Sequence, residues 1–166
     1  MSLQIIILAI VVAQRLSELV IARRNTAALL ANGGYEVGAG HYPAIVALHA
    51  SWLLSLFWLA PSRPVIGVFL VIYCVLQGLR VWVLTTMGKR WTTRIIIVPG
   101  EEPVTGGPFR FLRHPNYAVV SAEIACLPLV FGLWQHAVLF SVLNAIMLRV
   151  RISAESEAWA QARSPK

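Results

Sequence analysis

Aspartate is missing from this sequence, and all seven acidic residues are glutamate. Divalent-cation sites want clustered carboxylates, so chemistry built on a carboxylate-held metal is disfavoured and no metal ligand set is expected. Charge of either sign is scarce. Only 13% of the residues are charged, against about one-quarter in a typical soluble domain. Cysteine is nearly missing too. Cys74 and Cys126 both lie inside apolar runs, with no partner at metal or redox spacing, and read as buried inert thiols. There is no low-complexity segment and no internal repeat, which argues against a transporter built from paired repeats or broken helices.

What fills the chain instead is apolar. Hydrophobic residues make up 58% of it and the mean hydropathy is +0.71, the composition of an integral membrane protein. About 20 apolar residues cross a bilayer. By that measure the spans read as 3–22, 43–60, 65–87, 116–133 and 136–150. The first lacks the basic leader and small-residue cleavage site of a signal peptide and reads as a retained span. The fifth is short, and its end is expected to run on as a helix into the tail, 151–163. The chain, 1–166, thus reads as one all-α membrane domain of about five transmembrane helices, with a long connection at 88–115 and a C-terminal helix.

A net charge of +7 would suit a nucleic-acid partner, but its distribution argues otherwise. The basic residues gather at span ends, beside anionic lipid. Arg23, Arg24, five basic residues of 88–115, and Arg151, Arg163 and Lys166 fall on one side of a five-span chain, with Arg63 opposite. The positive-inside rule then puts the N-terminus outside and the long connections and C-terminus in the cytoplasm. No nucleic-acid partner is expected, and oligomeric state is not legible.

The polar residues concentrate in one place. The connection 88–115 opens with Gly88-Lys89-Arg90-Trp91 and ends in GGPFRFLRHPNY, Gly106 to Tyr117. Within it the β-branched run 94–98 reads as a short extended segment ending at Pro99-Gly100, and Thr105–Pro108 as a turn. Pro115 suits the first turn of the fourth helix, whose free amides would face a carboxylate beside His114. His114 can donate to a ligand or move a proton near neutral pH. It can equally be an interfacial histidine bonded to a loop carbonyl. Tyr117 follows three residues on, on the same helical face, with Asn116 near the cap. Arg110 and Arg113, also three apart, can converge on one anion or simply hold the loop to anionic lipid.

Past the fifth span, Arg151 and Glu155 are four apart on one helix. That spacing makes a surface ion pair worth a few tenths of a kcal/mol, or a functional pair at the membrane boundary. Ionisable residues inside the spans read as structural: Arg15 with Glu18, Arg80 snorkelling to the surface, and Glu123 paired with Arg80 or Asn144. His41 and Tyr42 open the second span, and most tryptophans fall near span ends, as in aromatic belts. Trp91 is set apart as a wall for a substrate slot.

GPFRFLRHPNY, followed by an apolar span and then RISAESEAW, resembles the isoprenylcysteine carboxyl methyltransferase family of integral membrane methyltransferases. The chain is most similar to a bacterial subgroup that O-methylates alkylpyrones or alkylresorcinols, in its QRLSE…ARRN first span and its GKRWTTRIIIVPG-like connection. The resemblance implies S-adenosylmethionine as methyl donor, S-adenosylhomocysteine as product, a lipophilic acceptor from the bilayer, and a bacterial inner-membrane location. It implies a cofactor pocket between the 88–115 connection, the start of the fourth span and the tail helix. Gly107, Pro108, Arg113, His114, Pro115, Asn116, Tyr117 and Glu155 would bind the cofactor. Arg151, Glu155 and His114 would serve the reaction. There is one departure: the family often has adjacent glutamates where this chain has Glu155-Ser156-Glu157, and the displaced Glu157 would point about 100° away. A sterol-reductase-type enzyme using NADPH is the competing reading, and it would want a longer bundle.

Overall fold

The computed structural model describes residues 2–163. Lys166 and the side chain of Arg163 lie outside the described residues. Five helices account for most of the chain: α1 Leu3–Ala31, α2 Tyr42–Leu59, α3 Gly67–Met87, α4 Pro115–Val130 and α5 Trp134–Arg163. Two short strands, β1 Tyr35–Val37 and β2 Ile95–Ile97, pair antiparallel with Tyr35 opposite Ile97 and Val37 opposite Ile95. The fold is an all-α membrane bundle. Four of its helices are long and apolar enough to cross a bilayer, and α4 is a shorter apolar helix.

Local sequence accounts for the boundaries. Pro43 stands in the first turn of α2 and Pro115 opens α4, where a missing amide hydrogen costs nothing. Between α2 and α3, the Pro61–Pro64 corner is closed onto the end of α4, where the Ile66 amide donates to the Val130 carbonyl at 2.8 Å. Two helices outrun the expected spans. Arg23 and Arg24 mark a polarity change, but the following TAALLA is rich in helix formers, so α1 continues unbroken to Ala31. The fifth span and the tail are a single 30-residue helix, as its composition leads one to expect.

Helix α4 lies at the centre. Val119, Glu123, Ile124, Cys126 and Leu127 along it are all buried, packed among Leu8 and Val11 of α1, Trp52 and Leu56 of α2 and Tyr73 of α3. Its 16 residues span only about 24 Å, and the surrounding helices shield it. The outside is correspondingly greasy: Leu54, Val68 and Val71 are each at least 62% exposed. Trp58 and Trp134 stand out at one end and Trp82 and Phe111 at the other, the disposition of aromatic belts. Cys126 is buried, but Cys74, expected to be buried too, is exposed on α3. It belongs to this outward apolar face.

At mid-depth four charged side chains close into a ring. Arg80 gives Nε and Nη2 to Glu18, both at 2.6 Å, and Nη1 to Glu123 at 2.9 Å. Arg15 joins the same two carboxylates, at 3.1 Å to Glu18 and 2.7 Å to Glu123. Gln14 and Gln77 supply one further donor each. Arg80 therefore does not snorkel. It is 6% exposed, held down because two carboxylates saturate its guanidinium locally. The ring ties α1, α3 and α4 together; it contains the Arg15–Glu18 pair that spacing suggested and, of the two partners open to Glu123, it selects Arg80.

Candidate active site

The 88–115 connection folds back over the ends of α3, α4 and α5. Its β-branched segment becomes β2, which pairs with β1 from the connection 32–41 (a strand too short to stand out in the sequence). Glu36 of β1 takes two hydrogen bonds from Arg94, at 2.7 and 2.9 Å, and the Arg94 guanidinium rests 4.6 Å from the centre of the Tyr42 ring. Those hydrogen bonds, donated by Arg94 to the Glu36 carboxylate, push the arginine above its usual range. The Tyr42 hydroxyl and Thr93 Oγ1 are 3.0 Å apart. Together these contacts fix the two-stranded sheet above the helix ends. Trp159 and Ala158 of α5 pack beneath it, against Ile95 and Ile97.

The turn after the sheet is set by glycine. Gly107 has φ +54°, and a Cβ there would lie 2.5 Å from Thr86 Oγ1, so both conformation and space exclude other residues. Gly107, buried Pro108 and buried Pro115 do not line the cavity beneath the sheet; they seat the loop on α3 and start α4. Arg110 faces outward, as do Phe111 and Leu112.

A cavity of about 410 Å³ opens under the sheet, within the usual size range of small-molecule sites. His114, Asn116, Tyr117, Arg151, Glu155 and Arg113 all line it, with Ser156 and Trp159 from α5 and Ile95–Val98 from the sheet side. Ala118 is the first α4 residue whose amide bonds back to the His114 carbonyl, so the amides of Asn116 and Tyr117 have no partner within the helix. Glu157 is exposed and does not line the cavity.

At its floor Tyr117 is the hub. Its hydroxyl donates to Glu155 Oε2 at 2.5 Å and accepts from Arg151 Nε at 2.9 Å. Arg151 and Glu155 are thus joined through the tyrosine and not as the simple i,i+4 pair that spacing allows, because Nε is committed to the hydroxyl across the helix interface. The His114 ring stacks on Tyr117, centroids 5.4 Å apart and 18° between planes. No described residue hydrogen-bonds either His114 nitrogen, so the loop-carbonyl reading does not hold.

A second cavity, about 350 Å³, lies deeper among α1, α2, α4 and α5. Its walls are mainly apolar, with Trp91 at the upper end, so Trp91 walls this space and not the polar one. The two cavities share Thr92, Asn116, Tyr117 and Arg151. A polar chamber and an apolar chamber therefore meet at the Tyr117–Arg151 bond. Thr92 had no signal in the sequence beyond lying in the polar connection. Its place follows from the strand pairing.

Residues 68–161 match the model of the isoprenylcysteine carboxyl methyltransferase (ICMT) family. Over 159 residues the chain is 40% identical to the "Uncharacterized protein YpbQ" of Bacillus subtilis (strain 168), covering 92% of this chain and 94% of that one. It is 24% identical over 158 residues to an "Uncharacterized protein" of Haemophilus influenzae, covering 90% and 91%. No solved structure matches.

Proposed function

This chain belongs to the isoprenylcysteine carboxyl methyltransferase family, and from that premise we propose that it is an S-adenosylmethionine-dependent O-methyltransferase whose acceptor is a lipid dissolved in the membrane. One observation carries the reading: the polar and the apolar cavity share Tyr117 and Arg151. A water-soluble donor and a hydrocarbon-soluble acceptor need two such chambers with one common wall.

The residues of the polar cavity suit the donor chemically. Unpaired amides at the start of α4 and the Arg113 guanidinium suit its carboxylate. Glu155 and Glu101 suit its ammonium or ribose hydroxyls, and the isoleucines of β2 with Trp159 suit a flat base. When bound, S-adenosylmethionine supplies a methyl group on a positively charged sulfur. Transfer then asks of the protein alignment and placed charge, with no metal. Arg151, fixed by Tyr117, would hold an anionic oxygen of the acceptor at the junction. Glu155 keeps one oxygen free of protein donors among the described residues and can take a proton from a hydroxyl acceptor. His114, stacked and unbonded, can do the same from the other side of Tyr117. In this reading the junction lies at the cytoplasmic face of a bacterial inner membrane, with the N-terminus outside, as the basic residues suggest. The acceptor is an isoprenylcysteine-type carboxylate or a phenolic or pyrone lipid.

The test is a thermal shift of the purified protein with S-adenosylhomocysteine or NADPH, followed by transfer of labelled methyl from S-adenosylmethionine to a host lipid extract. Ligand at about a hundred times its Kd should add about 2.7 kcal/mol. Stabilisation by S-adenosylhomocysteine alone and a labelled lipid product are expected. Stabilisation by NADPH alone would turn the reading to a reductase.

A further inference from the structure

Most of the outward surface is plainly apolar, but where the 88–115 connection folds back one patch is apolar and cationic together. Arg110, Phe111, Leu112 and Arg113 run between the Gly107 turn and α4, and all four are exposed, Phe111 at 77% and Leu112 at 53%. Phe111 leans on Trp82 of α3, itself 44% exposed, with 6.4 Å between ring centroids. Lys89, just past the end of α3, is exposed too. Asn25 of α1 donates to the Gly88 and Trp91 carbonyls at 3.2 and 2.7 Å, so the exposed Arg23 and Arg24 stand at the same level of the bundle. Among the described residues, none of Arg23, Arg24, Lys89 and Arg110 pairs with a carboxylate. The acids of this end are committed or lie elsewhere in the chain. Glu101 pairs with Arg90 and Glu36 with Arg94, while Glu102 belongs to the tip of the connection and Glu157 to α5. Free cations beside exposed rings suit the headgroup layer of an anionic leaflet.

We propose that Arg110 and Phe111 form a docking site for an anionic phospholipid, and that lipid held there steadies one wall of the polar cavity. The Arg110 guanidinium meets the phosphate, while Phe111 and Leu112 enter the layer where headgroups meet acyl chains. The surrounding cations and the lack of a free acid on this segment select a lipid with net negative charge over a zwitterionic one. The coupling follows from how short the segment is. Arg113 and His114, the residues that follow Leu112, line the polar cavity, and the His114 ring stacks on Tyr117. One stretch of backbone therefore meets lipid through Arg110 to Leu112 and the donor cavity through the next two residues. The lipid site stands apart from the methyltransferase reading; the effect on the methyl donor rests on it.

The experiment places the photocrosslinking residue p-benzoyl-phenylalanine at Phe111 and irradiates the protein in nanodiscs holding equal amounts of phosphatidylglycerol and phosphatidylcholine. Mass spectrometry then counts the two lipid adducts. Phosphatidylglycerol adducts should prevail by about fivefold, the effect of one cation at an anionic surface. Arg110→Gln should remove most of that preference and Arg110→Lys should keep it. The same crosslinker at Trp58, at the other end of the bundle, should show none. Calorimetry of S-adenosylhomocysteine binding gives the coupling: wild type should bind it severalfold more tightly in nanodiscs containing phosphatidylglycerol than in phosphatidylcholine alone, and Arg110→Gln equally in both. Equal adducts at position 111, a preference unchanged by Arg110→Gln or matched at Trp58, or crosslinking to a polypeptide in host membranes overturns the lipid site. A preference at 111 with the same S-adenosylhomocysteine affinity in both membranes overturns the coupling alone. If S-adenosylhomocysteine binds in neither membrane, the donor reading falls, and the adducts still decide the lipid site.

Discussion

Two polar clusters lie inside this bundle, and they are finished to different degrees. The ring of Arg15, Glu18, Arg80 and Glu123 is closed: two cations face two anions, and each carboxylate receives donors from both arginines and a glutamine. The Tyr117–Arg151–Glu155 cluster is open. Arg151 gives one nitrogen to Tyr117 and Glu155 takes one hydrogen bond, while His114 contributes only a stacked ring. Charge withdrawn from water is tolerated when it is fully paired. Charge left with spare donors and acceptors beside a cavity is placed for something that comes and goes. The difference separates a joint from a site.

The sharpest way to break that contrast is at the closed cluster. Arg80→Met would leave Glu18 and Glu123 sharing Arg15 alone. Removing one partner of a buried ion pair costs about 3–5 kcal/mol, so a large fall in Tm or loss of folded protein is expected. Thermal denaturation in detergent checks it. A Tm within a degree or two of wild type would mean that the ring is not the joint between α1, α3 and α4.

Glu155→Gln tests the open cluster from the opposite side. Glutamine can still accept from Tyr117, so Tm should hold, while methyl transfer should fall by roughly a hundredfold or more, in line with loss of one placed charge in an active site. Labelled-methyl turnover and thermal denaturation measured on one preparation separate the two effects. Equal losses in both would make Glu155 a second joint.

How much of this was legible in the sequence follows from the range of the interactions. Hydropathy located every helix, because burial in a bilayer is a property of a run of residues. Spacing found Arg15 with Glu18 and singled out His114, Tyr117, Arg151 and Glu155, because neighbours on a helix face are fixed by its period. Spacing could not close the ring. Arg80 and Glu18 are 62 residues apart, and a lone arginine near a span end looks like one that snorkels. It could not insert the Tyr117 hydroxyl between Arg151 and Glu155 either, since that contact joins α4 to α5. The partner of β2 was hidden for a third reason: Tyr35–Val37 is three residues long and has no pattern to read. Arg23-Arg24 misled in a simpler way, marking where the polarity changes and not where the helix ends.

The smallest expected effect lies outside both clusters, at a pair more exposed than either. Arg94 and Glu36 pair across the sheet with side chains 41% and 20% exposed. An exposed pair contributes at most about 1 kcal/mol, and salt screens it. Glu36→Gln should therefore lower Tm by a few degrees at low ionic strength and by nearly nothing in concentrated salt. Because the same pair steadies the sheet over the polar cavity, the variant should also raise the KM for the methyl donor severalfold while leaving kcat alone. A drop in kcat of the size expected for Glu155→Gln would mean that the sheet does more than roof the cavity, and that the open cluster extends to the strands above it.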